Sequence, residues 1–336
     1  MSSPIGRTLG AYRVVEALGR GGMATVFRAV DEARGETVAL KTVDATSERL
    51  VQSIRREIRA LARVRHPGIV RIVADGVDEG VPWYAMELIE GETLGRLCER
   101  GGVTEALGAT REAPWWTRTL AGDAGDEVGG EAGGEPLPLP RLLTIARALC
   151  ASLAYLHGEG LVHRDLKPDN ILLRAGDAPV LVDFGLASTL RARSSRENLD
   201  VRWELAGTAA YMAPEIIRGE AVDARADLYA LGCILYEMVT GTKPFAAFTV
   251  QAVLRGHLDQ APRPPSELAP EMPARLEALI LRLLAKRPRD RLGHADDVAR
   301  ELEALGAAPP PGPLPAGRDY LYRPGLVGRA ACLERL

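Results

Sequence analysis

The chain has 336 residues, 46% of them hydrophobic, and a formal net charge of −3. That length allows two ordinary domains or one two-lobed unit with a sizeable core, and the charge balance argues against a nucleic-acid-binding or polybasic membrane-surface protein. Four scattered cysteines, Cys98, Cys150, Cys233 and Cys332, form no CxxC pair, so reduced thiols in a cytoplasmic setting are expected, without disulfides or zinc.

The first four residues, Met-Ser-Ser-Pro, lack the apolar core of a signal peptide. Leu18, Gly19, Arg20, Gly21, Gly22, Met23, Ala24, Thr25, Val26 and Phe27 then make a glycine-rich stretch between two strand-like segments. Glycines let backbone approach phosphate oxygens closely; taken alone, the stretch reads as a hairpin turn. Residues 37–43 alternate like a strand and set Lys41 among apolar neighbours such as Ala39. In isolation such a lysine snorkels to water. Residues 47–65 read as a helix with Leu50, Ile54, Ile58 and Leu61 near one face and Glu57 upon it, ended by His66 and Pro67. Strands follow at 69–73 and 82–88, the second running through Met86 and Glu87 to Ile89. Residues 101–135 are rich in Gly, Ala and Glu with no period, an insertion whose apolar feature is Trp115 and Trp116.

Leu142, Ile145, Ala146, Leu149, Leu153 and Leu156 mark a strong core helix over 139–157. Next comes His163-Arg164-Asp165-Leu166-Lys167-Pro168-Asp169-Asn170, with Leu161 and Val162 before it and Ile171, Leu172 and Leu173 after it. Two short buried strands around a rigid polar turn are expected, Pro168 fixing its own φ and restricting Lys167. Asp183 ends an apolar run in Val182-Asp183-Phe184-Gly185; a lone buried aspartate is costly unless paired or metal-bound. A polar stretch with Ser188, Ser194 and Ser195 leads to Gly207-Thr208 and Ala213-Pro214-Glu215. The longest apolar run, residues 231–239, is too short to span a bilayer and contains Glu237. Amphipathic helices containing Leu276, Leu279, Ile280 and Leu283, then Val298, Leu302 and Leu305, close the larger unit. Residues 306–320 read as a stiff Pro-rich linker, and 321–336 as the start of a new amphipathic unit.

In this order and with these gaps, the glycine loop, Lys41, Glu57, the 163–170 loop, Asp183, Glu215, Asp227 and Arg291 resemble a serine/threonine protein kinase of the bacterial, eukaryotic-like kind over residues 9–305. The resemblance implies an α+β, two-lobed kinase-like fold: a small β-rich N-lobe (about 9–88) and a larger, mainly helical C-lobe (about 90–305). It implies ATP and Mg²⁺ as cofactors and Ser or Thr hydroxyls of protein substrates as acceptors. Asp165, Lys167 and Asn170 are the implied catalytic residues, with Asn170 and Asp183 on the metal. Leu18, Gly19, Gly21, Gly22, Val26, Ala39, Lys41, Glu57, Met86, Glu87, Ile89, Leu172 and Asp183 are the implied nucleotide-binding set, Lys41 being paired with Glu57. Glu215 and Arg291 are implied as a buried bridge. Leu61, Ile72, His163 and Phe184 are implied as a spine resting on Asp227. Where the family pattern has its third glycine stands Ala24; an alanine held at positive φ costs roughly 1 kcal/mol. Ser194 and Ser195 are candidate phosphorylation sites in an activation-type loop. The tail resembles the opening of an AAA-type P-loop ATPase domain, expected downstream in a longer polypeptide; no membrane segment is expected within the chain. The competing readings are a non-catalytic kinase-fold scaffold and a small-molecule phosphotransferase.

Overall fold

The computed structural model describes residues 5–21, 24–43, 48–101, 138–184, 209–310, 312–315 and 317–318. Gly22, Trp115, Trp116, Gly185, Ser188, Ser194, Ser195, Thr208 and the tail from 319 onward lie outside the described residues.

The N-terminal half is one antiparallel sheet with a helix on its inner face. Its strands are β1 (Thr8–Leu9), β2 (Tyr12–Gly21), β3 (Ala24–Asp31), β4 (Thr37–Val43), β5 (Ile72–Asp78) and β6 (Val81–Glu87), in the order β1-β2-β3-β4-β6-β5. The period-two alternation of β4 divides its side chains between two cores. Val38 and Leu40 join Phe27 and Trp83 on the outer face. Ala39 and Val43 join Val26, Met86 and helix α1 (Glu48–Leu61) on the inner face. The same register carries Lys41 to the inner face, with Val26 opposite it on β3 and Tyr84 opposite it on β6. Ala24 opens β3 in extended conformation, paired with Gly21 and Val43. It is not among the positive-φ residues, so the expected alanine strain does not arise.

The C-terminal half is helical around a short sheet. Its elements are β7 (Glu92–Thr93), α2 (Leu94–Gly101), α3 (Leu139–Gly158), β8 (Ile171–Arg174), β9 (Ala178–Leu181), α4 (Pro214–Arg218), α5 (Arg225–Thr240), α6 (Val250–Asp259), α7 (Ala274–Leu283) and α8 (Ala295–Ala304). Helix α5 is buried from Ala226 through Met238 and forms the centre of this half. Helix α3 packs against α8, β9 and α5. It is long and apolar enough to cross a membrane by length and composition, a test the sequence reading applied only to 231–239, but half of it is buried here as a core helix. The halves are stitched together at β9, where Leu181 N–H donates to Gly68 O and Val70 N–H to Leu181 O, both at 2.9 Å.

Only one of the two strands expected around the polar turn forms. Leu161 and Val162 are not a strand; α3 ends in a Schellman motif that takes up Leu161. Gly160 takes the left-handed conformation (φ 74). Its N–H returns to His157 O at 2.9 Å, and that of Leu161 to Leu156 O at 3.1 Å. The following turn, Pro168–Asn170, is a 3₁₀ helix leading into β8.

Candidate active site

The site lies where β4, the 163–170 loop and the residues after β9 meet. Asp227, on the first turn of α5, fixes the loop from below. Its Oδ2 accepts from His163 N–H at 2.8 Å and its Oδ1 from Arg164 N–H at 2.9 Å. Arg164 has φ 64, which turns two successive amides toward one carboxylate. His157 Nε2, from the last turn of α3, lies 2.8 Å from Asp227 Oδ2. Burial raises the Asp227 pKa, but the hydrogen bond and charge of His157 and the neighbouring His163 override it, and the carboxylate is held below its usual range. This His157 contact was missed from sequence, where His157 is one more residue at a helix end.

Asp165 and Asp183 face the same cleft, as the sequence reading requires. Asn170 Nδ2 donates to Asp165 O at 2.8 Å, to Asp165 Oδ2 at 3.1 Å and more weakly to Asp183 O at 3.4 Å. Lys167 Nζ lies 3.3 Å from Asp165 Oδ2. Asp165 Oδ1 is buried with no hydrogen-bond partner among the described residues. A buried acceptor left open is costly.

Lys41 Nζ is bonded to Asp183 Oδ1 at 2.5 Å. Pairing with Glu57 was expected; Glu57 is half-buried on α1, and the partner seen for Lys41 is Asp183. Asp183 has φ 55 just after β9, and its side chain reaches Lys41 on β4. Burial, the largest effect, lowers the Lys41 pKa, but the charge and hydrogen bond of Asp183 together with Tyr84 and Asp165 outweigh it, so the net direction is upward. For Asp183, burial acts upward and Lys41 downward, with a net depression. Both stay charged. Tyr84, across the strand pair from Lys41, was also missed; burial, the largest effect, pushes its hydroxyl up to about 12.

Beside the charges is apolar core: Leu18, Val26, Ala39, Met86 and Ile89 are buried in one cluster, with Leu172 packed against it. Ala39 and Met86 are cross-strand partners. Gly19 and Gly21 lie in β2 above, where the pairing with β3 shifts register between Ala17 and Gly19. Glu87 does something the sequence did not reveal. Its Oε1 accepts from Arg71 N–H at 2.9 Å and its Oε2 pairs with Arg174 at 3.0 Å, clamping β6 to the end of β8. Further from the cleft, Arg291 makes two parallel bonds to Glu215, at 2.6 and 2.8 Å, with both side chains buried. His163 stacks on Phe184 at 4.8 Å between ring centroids, and Leu61 and Ile72 are buried in the same core.

A fixed carboxylate, an amide and two lysines gathered beside buried apolar residues can hold a polyanion and take a proton from a hydroxyl. Among known proteins, the chain is 36% identical over 281 residues to the DNA damage-responsive serine/threonine-protein kinase RqkA of Deinococcus radiodurans, covering 83% of this chain and 37% of that protein. It is 32% identical over 300 residues to the serine/threonine-protein kinase PknH of Mycobacterium tuberculosis, covering 88% and 42% respectively. The chain thus spans well under two thirds of the curated relatives it matches. The crystal structure of a double mutant of the Mycobacterium tuberculosis PknI kinase domain superposes with a TM-score of 0.63 at 26% identity, covering 90% of this chain and 99% of that one. The family described as "Protein kinase domain" matches residues 12–302, and with the two-lobed architecture arranged as it is, the chain belongs to the protein kinase family.

Proposed function

We propose that this chain transfers the γ-phosphoryl group of ATP to Ser or Thr hydroxyls of protein substrates. The observation that carries the reading is the orphaned Oδ1 of Asp165, held in one cleft with Lys167, Asn170, Asp183 and Lys41. Phosphoryl transfer needs little covalent chemistry from the protein and much positioning of charge. Asp165 orients the acceptor hydroxyl and accepts its proton. Lys167 sits beside it to steady the transferring group, and Lys41 holds the α- and β-phosphates. The adenine packs against Leu18, Val26, Ala39, Met86 and Leu172, with Gly19 and Gly21 above the phosphates and backbone groups of Glu87 and Ile89 beside the base.

The donor set fits Mg²⁺. Asp183 is kept ionised, and Asn170 has its amide nitrogen committed to Asp165, which leaves its oxygen for a hard cation. Two protein oxygens suffice for an ion that otherwise keeps water and phosphate ligands. When bound, the ion would neutralise charge on the phosphate oxygens. Lys167 supports the Ser/Thr assignment over a tyrosine-type loop. The domain limits, roughly 9–305 with a linker after them, and an ATPase domain further downstream are part of the same reading.

The test is purified chain with labelled ATP, Mg²⁺ and a panel of proteins, read by site-mapping mass spectrometry. Phosphate on Ser or Thr that requires Mg²⁺ is expected. Intact nucleotide binding with no transfer to any protein would leave the scaffold reading instead, and transfer only to small molecules would leave the phosphotransferase reading.

A further inference from the structure

The segment after α8, expected as a stiff spacer, meets α3 at both of its ends. Ala307 is buried in the main core. Ala308 N–H donates to Thr144 Oγ1 at 3.2 Å, and that hydroxyl is itself oriented by donating to Pro140 O at 2.7 Å. At the far end Gly317 rests on the last turn of α3. A Cβ on Gly317 would fall 2.9 Å from Ala154 O and 3.3 Å from the Cα atoms of Tyr155 and Gly158. A Cβ on Gly158 would fall 2.6 Å from Arg318 N and 2.8 Å from Gly317 Cα. Both positions need glycine, for the close approach of two backbones. Arg318 Nε closes the contact on Glu159 Oε1 at 3.1 Å. Thr144 to Gly158 is roughly 21 Å of helix rise, within the reach of the chain between 308 and 317, which is about 28 Å when extended as polyproline.

We propose that residues 307–318 form a strap that docks on α3 and braces its last turn, so that the segment helps to position the catalytic loop. The contacts are contiguous. Gly317 and Arg318 touch Ala154, Tyr155, Gly158 and Glu159. The same turn carries His157, whose Nε2 meets Asp227 Oδ2. Asp227 in turn holds the N–H groups of His163 and Arg164, and Asp165 is the next residue. Displacing the strap frees the turn, relaxes His157 and loosens the amide clamp on the loop. Whatever follows residue 318 in the polypeptide then acts on phosphoryl transfer by pulling on or releasing this strap.

The experiment uses the full 336-residue chain, wild type against Gly317→Leu and the milder Gly317→Ala. Hydrogen exchange is followed in peptides spanning 306–318 and 155–165, alongside kcat and KM for ATP. The wild-type strap should be protected from exchange. Gly317→Leu should abolish that protection, speed exchange in 155–165 and lower kcat by about three- to tenfold, within the usual range for coupling through packed contacts. KM for ATP should not move, and Gly317→Ala should fall between. Free-chain exchange of 306–318 in the wild type overturns the proposal. So does an undocked variant whose 155–165 exchange and kcat stay at wild-type levels. The kcat arm rests on the kinase reading and the exchange arm does not, so an inactive wild type with a protected, coupled strap would sink the former alone.

Discussion

Arg164 and Asp183 hold the left-handed backbone conformation within the site, at φ 64 and φ 55. Each such conformation costs of order 1–3 kcal/mol, and the surroundings hold it: Asp227 captures the amide of Arg164, and Lys41 captures the side chain of Asp183. The open oxygen of Asp165 is the other residue-level feature. Asp165→Asn removes the proton acceptor without changing volume, so kcat should fall by about 10²–10⁴-fold while nucleotide binding, measured by calorimetry, is retained. His66 provides a pH signature. Its Nδ1 accepts from Gly68 N–H at 3.0 Å, and burial pushes its pKa down to about 4. The unfolded chain protonates histidine near pH 6.5, roughly. The neutral buried form therefore contributes stability above that pH, and the contribution is lost as pH falls toward 4. Burial likewise pushes His257 down, to about 3, with Lys286 adding to it. Denaturant midpoints should drop as pH falls from about 6.5 to about 4, the window set by these groups, and His66→Asn should show a shallower drop.

At the scale of elements, α4 and the segment that ends at Arg291 are tied by a buried ion pair. Arg291 spends its donors on Glu215, on Ala285 O at 2.8 Å and on Arg225 O at 2.9 Å. Arg291→Met leaves Glu215 buried and unpaired, and should cost about 3–5 kcal/mol in denaturant unfolding. Replacing both partners with apolar residues should cost less, because no charge is left stranded. The helices themselves were legible. The apolar spacing of α3 follows from the 3.6 period, and its start at Leu139 coincides with the expectation. What followed α3 was not legible as written: the run Leu161-Val162 has strand composition, but Gly160 turns it into a helix cap. The Pro-rich stretch was legible as extended but not as docked. Its contacts depend on a glycine in α3, Gly158, that no local pattern links to Gly317.

At the scale of the whole molecule, the charged cluster joins the two halves. Lys41 comes from the sheet, and Asp183 follows β9 in the helical half. On the proposed reading a metal–nucleotide would bind at this bond, with both groups then shared with phosphates and a cation. ATP with Mg²⁺ should raise the unfolding free energy by about 2.7 kcal/mol at 100 times Kd. In Asp183→Asn the Mg²⁺-dependent part of that shift should vanish, as read by thermal unfolding with and without the metal.

The order of chemically distinctive residues along the chain was enough to identify the fold, because a lysine in a strand, an aspartate–asparagine loop and an aspartate after a buried strand each demand particular neighbours. Periodicity placed the helices and strands that carry them, since it reports which side of an element faces a core. Only the tertiary structure decided which charges pair. Lys41 and Asp183 are 142 residues apart in sequence yet bonded at 2.5 Å. Asp227 reaches back 64 residues to His163, and the strap folds over a helix far upstream of it. Such partners are selected by chain crossings, and the distance between two side chains in space leaves no mark on the spacing between them in sequence.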